Sequence, residues 1–301
     1  MKKYFSTLLK GIAMGAVDII PGISGGTMAL ILKIYQKIIN ELRLINLKFF
    51  KNIFSLRLKK AFRLIDWKFL LSLFLGIIIA IISLARIVSW ALENYPTYLF
   101  GFFFGLIIIS ALLLIPKNNI KPISIIFLIL GFIIAWLISS LTPAQSPETY
   151  GFIFLSGALA ICAMILPGIS GAFILILIGK YEFMISALKN PLTPENISII
   201  IIFILGCLIG LLAFSKFLSL LLKKYYQITL MLLIGFMLGA LNKIWPFKII
   251  TKTTIINNYE IIIQQKNILP QLNQELLITI ILMIIGATIG LLLNKIKRNK
   301  A

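Results

Sequence analysis

The chain of 301 residues is 60% hydrophobic and 13% charged, with 29 Lys and Arg against 9 Asp and Glu and no histidine. A soluble domain is about 45–50% apolar and about 25% charged. With a mean hydropathy of +1.05, a water-soluble globule, a disordered chain and a coiled coil are all excluded. The apolar runs are long and continuous, which excludes the short alternating pattern of a membrane β-barrel. The sequence therefore predicts a single all-α polytopic membrane domain over residues 1–301.

In chain order, residues 4–39 form an apolar run broken at Pro21-Gly22. Its first 20 residues resemble a secretory signal. Lys10 interrupts the apolar stretch, however, and the segment has a counterpart deep in the chain, so it is expected to be retained. Residues 41–68 carry eight basic residues among Leu, Ile, Phe and Trp67, and read either as an interfacial amphipathic helix or as a basic loop. Full spans are predicted at 69–92, 97–115 and 123–142. Residues 150–188 form a second broken run, interrupted at Pro167-Gly168, and further spans follow at 197–222, 227–245 and 276–294.

If each broken run returns to its starting side, 21 of the 29 basic residues fall on one side and six on the other, with Arg86 and Lys216 inside spans. That asymmetry makes the basic side cytoplasmic, with both termini inside. The net charge of +20 is then a topology signal and an anchor to anionic lipid, with no nucleic-acid partner implied. Cys162 and Cys207 lie in apolar segments and read as packing residues. Without histidine the commonest general base and metal ligand is missing, so no metal site is expected. There is no phosphate-binding loop for ATP either, and no cofactor is expected.

Residues 11–35 align without gaps to 157–181, and Pro21-Gly22-Ile23-Ser24-Gly25 is identical to Pro167-Gly168-Ile169-Ser170-Gly171. With a shorter offset, Gly76, Arg86, Ser89 and Tyr95 match Gly206, Lys216, Ser219 and Tyr225, and Gly101 and Gly105 match Gly235 and Gly239. The chain thus reads as two repeats, 1–146 and 147–301, each a broken hairpin followed by three spans. Three is odd, so the second repeat is inverted relative to the first, an arrangement typical of transporters with a site at the repeat interface.

Each hairpin arm has about 16 or 17 residues, short of a bilayer core of about 30 Å. Re-entrant hairpins are therefore expected, although two full spans with a tight turn give the same parity. In the re-entrant reading the tips Pro21, Gly22, Pro167 and Gly168 meet near the membrane centre. A helix would start at each serine, and its free N–H groups would bind an anion such as phosphate. The expected phosphate-binding residues are Ser24, Gly25, Gly26, Thr27, Ser170 and Gly171. Arg86 and Lys216 are added as equivalent intramembrane cations that either line the route or snorkel to the interface. Asp18, beside the first tip, and Glu182, on the second hairpin, are candidates to carry a coupling proton.

The block Gly15-Ala16-Val17-Asp18-Ile19-Ile20-Pro21-Gly22-Ile23-Ser24-Gly25-Gly26-Thr27, followed by Tyr35 and by the second Pro-Gly-Ile-Ser-Gly, resembles the signature of the polyprenyl-phosphate transporter family, the undecaprenyl phosphate translocases. The resemblance covers the whole chain. It implies a flippase in the bacterial cytoplasmic (inner) membrane that returns undecaprenyl phosphate from the outer to the inner leaflet for cell-envelope synthesis, and not an enzyme. It points to Asp18, Pro21, Gly22, Ser24, Gly25, Gly26, Thr27, Pro167, Gly168, Ser170 and Gly171. Ala172 stands where the first tip has Gly26, so the two tips are not fully equivalent. The implied partners are the polyprenyl phosphate lipid, the bilayer and protons, and a homo-oligomer is compatible. The alternatives are a membrane undecaprenyl pyrophosphate phosphatase, whose tip has an arginine after the serine and which uses a histidine and a glutamate cluster, and a small-anion carrier or channel.

Overall fold

The computed structural model describes residues 2–20, 22–256 and 259–298. It is a polytopic helical membrane protein. Among the described residues, five helices are long and apolar enough to cross a bilayer: α6 (Trp67–Asn94), α7 (Pro96–Leu114), α8 (Pro122–Ser140), α12 (Pro194–Lys224) and α14 (Gln274–Arg298). Proline opens α7, α8 and α12, where its missing N–H costs no helical hydrogen bond. Asp66 caps α6 by accepting from the Phe69 N–H. The outer faces of these helices are apolar; Ile82, for example, is 78% exposed, a surface suited to lipid. The span expected at 227–245 is shorter than predicted. It is α13 (Tyr226–Gly239), tightened into a 3-10 turn at Ala240–Asn242.

Glycines set the helix pairing. A side chain at Gly11 of α1 (Lys2–Asp18) would strike the Leu73 backbone of α6, and one at Gly15 would strike Ile77 and Ala80. The two helices therefore run parallel at close range, as small residues allow. Carried three residues further, this register sets Asp18, the last residue of α1, beside residues 80–84, midway along α6. Helix α9 (Tyr150–Ile165) lies on α12 in the same sense, with Phe154 against Gly206 and Ala158 against Gly210. Helix α8 pairs with α13 (Leu128 against Gly235, Phe132 against Gly239), and α7 pairs with α14 (Gly101 against Thr279, Gly105 against Met283). Each of the last two pairs joins one helix from either half of the chain.

The outgoing arms of the broken runs are α1 and α9. The return arms are not single helices of about 16 residues. The first is α2 (Gly25–Ile31) followed by α3 (Tyr35–Leu44), and the second is α10 (Gly171–Leu177) followed by α11 (Tyr181–Lys189). The break angle between α10 and α11 is 107°. The cause is a left-handed residue after each short helix, Lys33 with φ 55° and Gly179 with φ 65°. The residue that follows each bonds back to an earlier carbonyl, Ile34 N–H to Ala29 and Lys180 N–H to Leu175, which ends a helix. The tips match as closely, with φ 89° at Gly22 and 85° at Gly168.

Two connecting regions also differ from expectation. The basic 41–68 segment is not one amphipathic helix: after α3 come α4 (Leu47–Phe54) and α5 (Leu58–Leu64), separated by Leu56 at φ 55° and 86% exposed. Between α13 and α14 stands an antiparallel hairpin, β1 (Lys248–Ile256) and β2 (Tyr259–Asn267), pairing Lys248 with Asn267. The all-α expectation missed it. Its β-branched content is a strand signal, but it forms no long apolar run.

Candidate functional site

The two broken runs meet directly. The Gly168 N–H donates to Thr27 Oγ1 at 2.8 Å, Ser24 Oγ lies 3.3 Å from the carbonyls of Met164 and Leu166, and the Tyr35 hydroxyl donates to Ile165 O at 3.1 Å. Ser24, Thr27 and Tyr35 thus fasten the first hairpin to the end of α9. Buried carbonyls at a helix end need such donors.

At the first tip, the N–H groups expected to hold an anion are already engaged. Gly25 N–H donates to Asp18 Oδ1 at 2.5 Å, Gly26 N–H to Ser24 Oγ at 3.1 Å, and Thr27 N–H to the Ser24 carbonyl at 2.8 Å. The Asp18 carboxylate fills the place where an external anion would sit. The second tip differs. Met164 stands at the position of Asp18, and Ser170 makes no side-chain cap, so the first turn of α10 lacks both closures. Pro21 lies outside the described residues, and Pro167 is buried.

A cleft of about 250 Å³, including its mouth, opens at this junction. Gly22 comes from the first tip, Gly168 and Ser170 from the second, Ser139 from α8, and Lys243 from the end of the 3-10 turn. Lys243 packs so closely that a Cβ on Gly22 would lie 2.9 Å from its Cγ. Its Nζ stands 4.6 Å from the centre of the Phe173 ring. Lys248 donates to the Lys243 carbonyl and lies 4.7 Å over the Phe100 ring. Both lysines are half-buried, and neither forms an ion pair among the described residues. Burial first, and the Lys243 charge second, push the Lys248 ammonium down to about 7. The base of the β-hairpin closes over this corner through Trp245 Nε1 to Ile268 O and Asn267 Nδ2 to Asn242 O, both 2.9 Å. Asn242 in turn donates to Ser139 Oγ at 2.9 Å.

The structure brings Gly22, Gly168 and Ser170 to the cleft and leaves both expected cations away from it. Arg86 and Lys216 are exposed on the outer faces of α6 and α12. Ser89 is exposed, whereas Ser219 is buried against Asn40 and Arg43 of α3. Glu182 is exposed in the first turn of α11. Gly171 packs on the Ala160 carbonyl of α9. In sequence, Lys243 and Lys248 read as outer-side loop charges, which hides their place at this corner. The available signal was that Lys243 lies inside the 227–245 span among apolar neighbours, but repeat equivalence drew attention to Arg86 and Lys216.

Apolar helices around a small cleft that holds a half-buried lysine, where two matched helix breaks meet, define a polytopic helical membrane protein. The chain belongs to the family described as VCA0040-like, undecaprenyl phosphate translocase-like, whose match extends over residues 14–263. It is 46% identical to a polyprenyl-phosphate transporter of Vibrio cholerae over 246 residues, 81% of this chain and 79% of that protein. It is 31% identical to a polyprenyl-phosphate transporter of Staphylococcus aureus over 254 residues, 79% of this chain and 85% of that protein. No solved structure matches.

Proposed function

We propose that the protein is a transporter that returns undecaprenyl phosphate, or a close polyprenyl phosphate, from the outer to the inner leaflet of the bacterial cytoplasmic membrane. The headgroup binds at the cleft and the tail stays in lipid. One observation carries this reading: half-buried Lys243 stands where the tips meet, with half-buried Lys248 against its carbonyl, and neither has a counter-anion among the described residues. Buried charge needs a partner, and a phosphate monoester supplies one. The printed names of the relatives support the same substrate class. The phosphate is held by Lys243, with Ser170 and the uncapped start of α10 beside it, while Asp18 seals the first tip.

The two halves act as inverted repeats of a re-entrant hairpin plus three helices. Three observations support this. Positive φ recurs 146 residues apart at Gly22 and Gly168 and again at Lys33 and Gly179. The pairing of α1 with α6 is repeated by α9 with α12. Helix α1 ends midway along α6. The end bearing Lys33 and both termini faces the cytoplasm, as the charge asymmetry favours, and the cleft opens on the outer side. The reaction needs no covalent step. Gly25 and Gly171 stand where the phosphatase-type tip has arginine, and the chain has no histidine, which disfavours the enzyme reading.

The test is transfer of labelled undecaprenyl phosphate across reconstituted vesicles. Replacing one charge-assisted contact, Lys243→Gln, lowers binding and transfer about 10–100-fold, while Arg86→Gln and Lys216→Gln retain most activity. Full transfer by Lys243→Gln sinks the cleft assignment. Hydrolysis of the pyrophosphate form by the parent protein revives the enzyme reading.

A further inference from the structure

At the far end of α2 from the cleft lies a second, open hollow of about 200 Å³ including its solvent-facing mouth, with exposed Lys33 at its rim and Ser110, Leu114, Gly290 and Asn294 among its lining. The two sites lie toward opposite ends of the bundle. Gln227 of α13 donates to Asn119, in the loop after α7, so α13 starts at the end where α7 and the parallel α14 finish. Helix α2 has seven residues, a rise of about 10 Å, with Gly22 of the cleft before it and Lys33 of the cavity after it.

Three features of this cavity are unexplained by packing. Lys33 holds φ 55°, and its repeat counterpart is Gly179 at φ 65°. Glycine is the comfortable residue at such a backbone angle, so a lysine here is kept against local strain. Its Nζ donates to Asn294 Oδ1 at 2.6 Å, which leaves the Asn294 amide N–H₂ as a donor. Ser110 is 4% exposed, and its hydroxyl has no hydrogen-bond partner among the described residues. A Cβ at residue 290 would lie 3.0 Å from that hydroxyl, so the space beside Ser110 depends on Gly290.

From this convergence of a cation, an amide and an unpartnered buried hydroxyl, with no acid among the lining residues, we infer a second subsite for a phosphate monoester, which receives the headgroup from the Lys243 cleft before release. The inference rests on the lipid-phosphate reading above. Anion binding here is weaker than at the cleft, because the carbonyl end of α2 points the same way, and that suits a release station.

The test uses the full chain in vesicles with labelled undecaprenyl phosphate and three variants. Ser110→Ala removes an unsatisfied hydroxyl, so a purely structural role predicts equal or higher thermal stability; Lys33→Gly relieves the backbone but gives up the Asn294 contact, so a purely structural role predicts a change in stability with unchanged transfer. The subsite predicts the same stability and retained photo-crosslinking of the lipid at the Lys243 cleft, but transfer slower by about tenfold or more. Ser124→Ala, at the other buried unpartnered serine, is the control and keeps the parental rate. Parental transfer in both Lys33→Gly and Ser110→Ala overturns the subsite, and so does an equal loss in Ser124→Ala. If the parent moves no undecaprenyl phosphate, the lipid reading itself falls. If the parent instead carries radiolabelled inorganic phosphate and Lys33→Gly does not, the subsite stands with the free anion as its occupant.

Discussion

At the residue scale, the site is decided by which charges have partners. Lys248, held near 7 by burial and by Lys243, titrates in the working range. A bound phosphate stabilises its charged form and raises its pKa, so binding above about pH 7 takes up a proton. Between about pH 7.5 and 9 the headgroup is already close to a dianion, its second pKa being about 6 by analogy with phosphorylated side chains. Affinity for undecaprenyl phosphate should therefore fall as pH rises, by up to about tenfold per pH unit. Lys248→Gln should bind more weakly with a flat profile over the same range, and equilibrium binding in detergent reads both. Asp18 holds the Gly25 N–H and is also our candidate proton carrier. Asp18→Ala loses the cap and should cost about 1–2 kcal/mol of stability, whereas Asp18→Asn keeps an accepting oxygen and stays near the parent. Returning an anion against an inside-negative potential costs about 2.3 kcal/mol per charge per 100 mV. If Asp18 carries the compensating proton, Asp18→Asn stops pH-driven accumulation of the lipid yet still permits exchange down its gradient. Accumulation at the parental level leaves Asp18 as a cap only.

At the scale of elements, the fold depends on glycines that let parallel helices touch. Gly105 faces the Met283 backbone, so Gly105→Leu forces α7 and α14 apart. It should destabilise the protein by at least about 1–3 kcal/mol, the usual cost of overpacking, read as a lower unfolding temperature in detergent. Gly151→Leu is the matched comparison, since nothing lies within 4 Å of its Cβ position, and it should unfold like the parent. The helix breaks at Gly22 and Gly168 are legible because Pro-Gly-Ile-Ser-Gly occurs twice. The second break in each return arm is not, because Lys33 is an ordinary helix residue by composition and only the chain's path sets its φ to 55°. The β-hairpin was hidden for another reason: β1 and β2 are stabilised by pairing with each other, a contact that no apolar-run count detects.

At the scale of the whole molecule, composition alone determined the class. A chain that is 60% hydrophobic and 13% charged cannot cover itself with polar groups, so its helices must face lipid. The internal alignment of 11–35 with 157–181 likewise marks two matching backbone turns, because identical local sequence imposes similar φ, as at Gly22 and Gly168. What the sequence left open was which cations the bundle turns inward. Arg86 and Lys216 share a repeat position, but repeat equivalence says nothing of helix azimuth, and packing of α6 on α1 and of α12 on α9 leaves both outside. Lys243 reads as an outer-loop charge until α13 pairs with α8 and its end is carried to the tips. In the same way Asp18 and Met164 are mere neighbours of two similar turns in sequence. Only in three dimensions does the carboxylate close the first helix start and leave the second without that closure. Local sequence dictates where the backbone breaks, because φ preferences and capping act within a few residues. Which cations stand at those breaks belongs to the tertiary structure, because it depends on contacts between segments more than a hundred residues apart, such as Gly22 with Lys243.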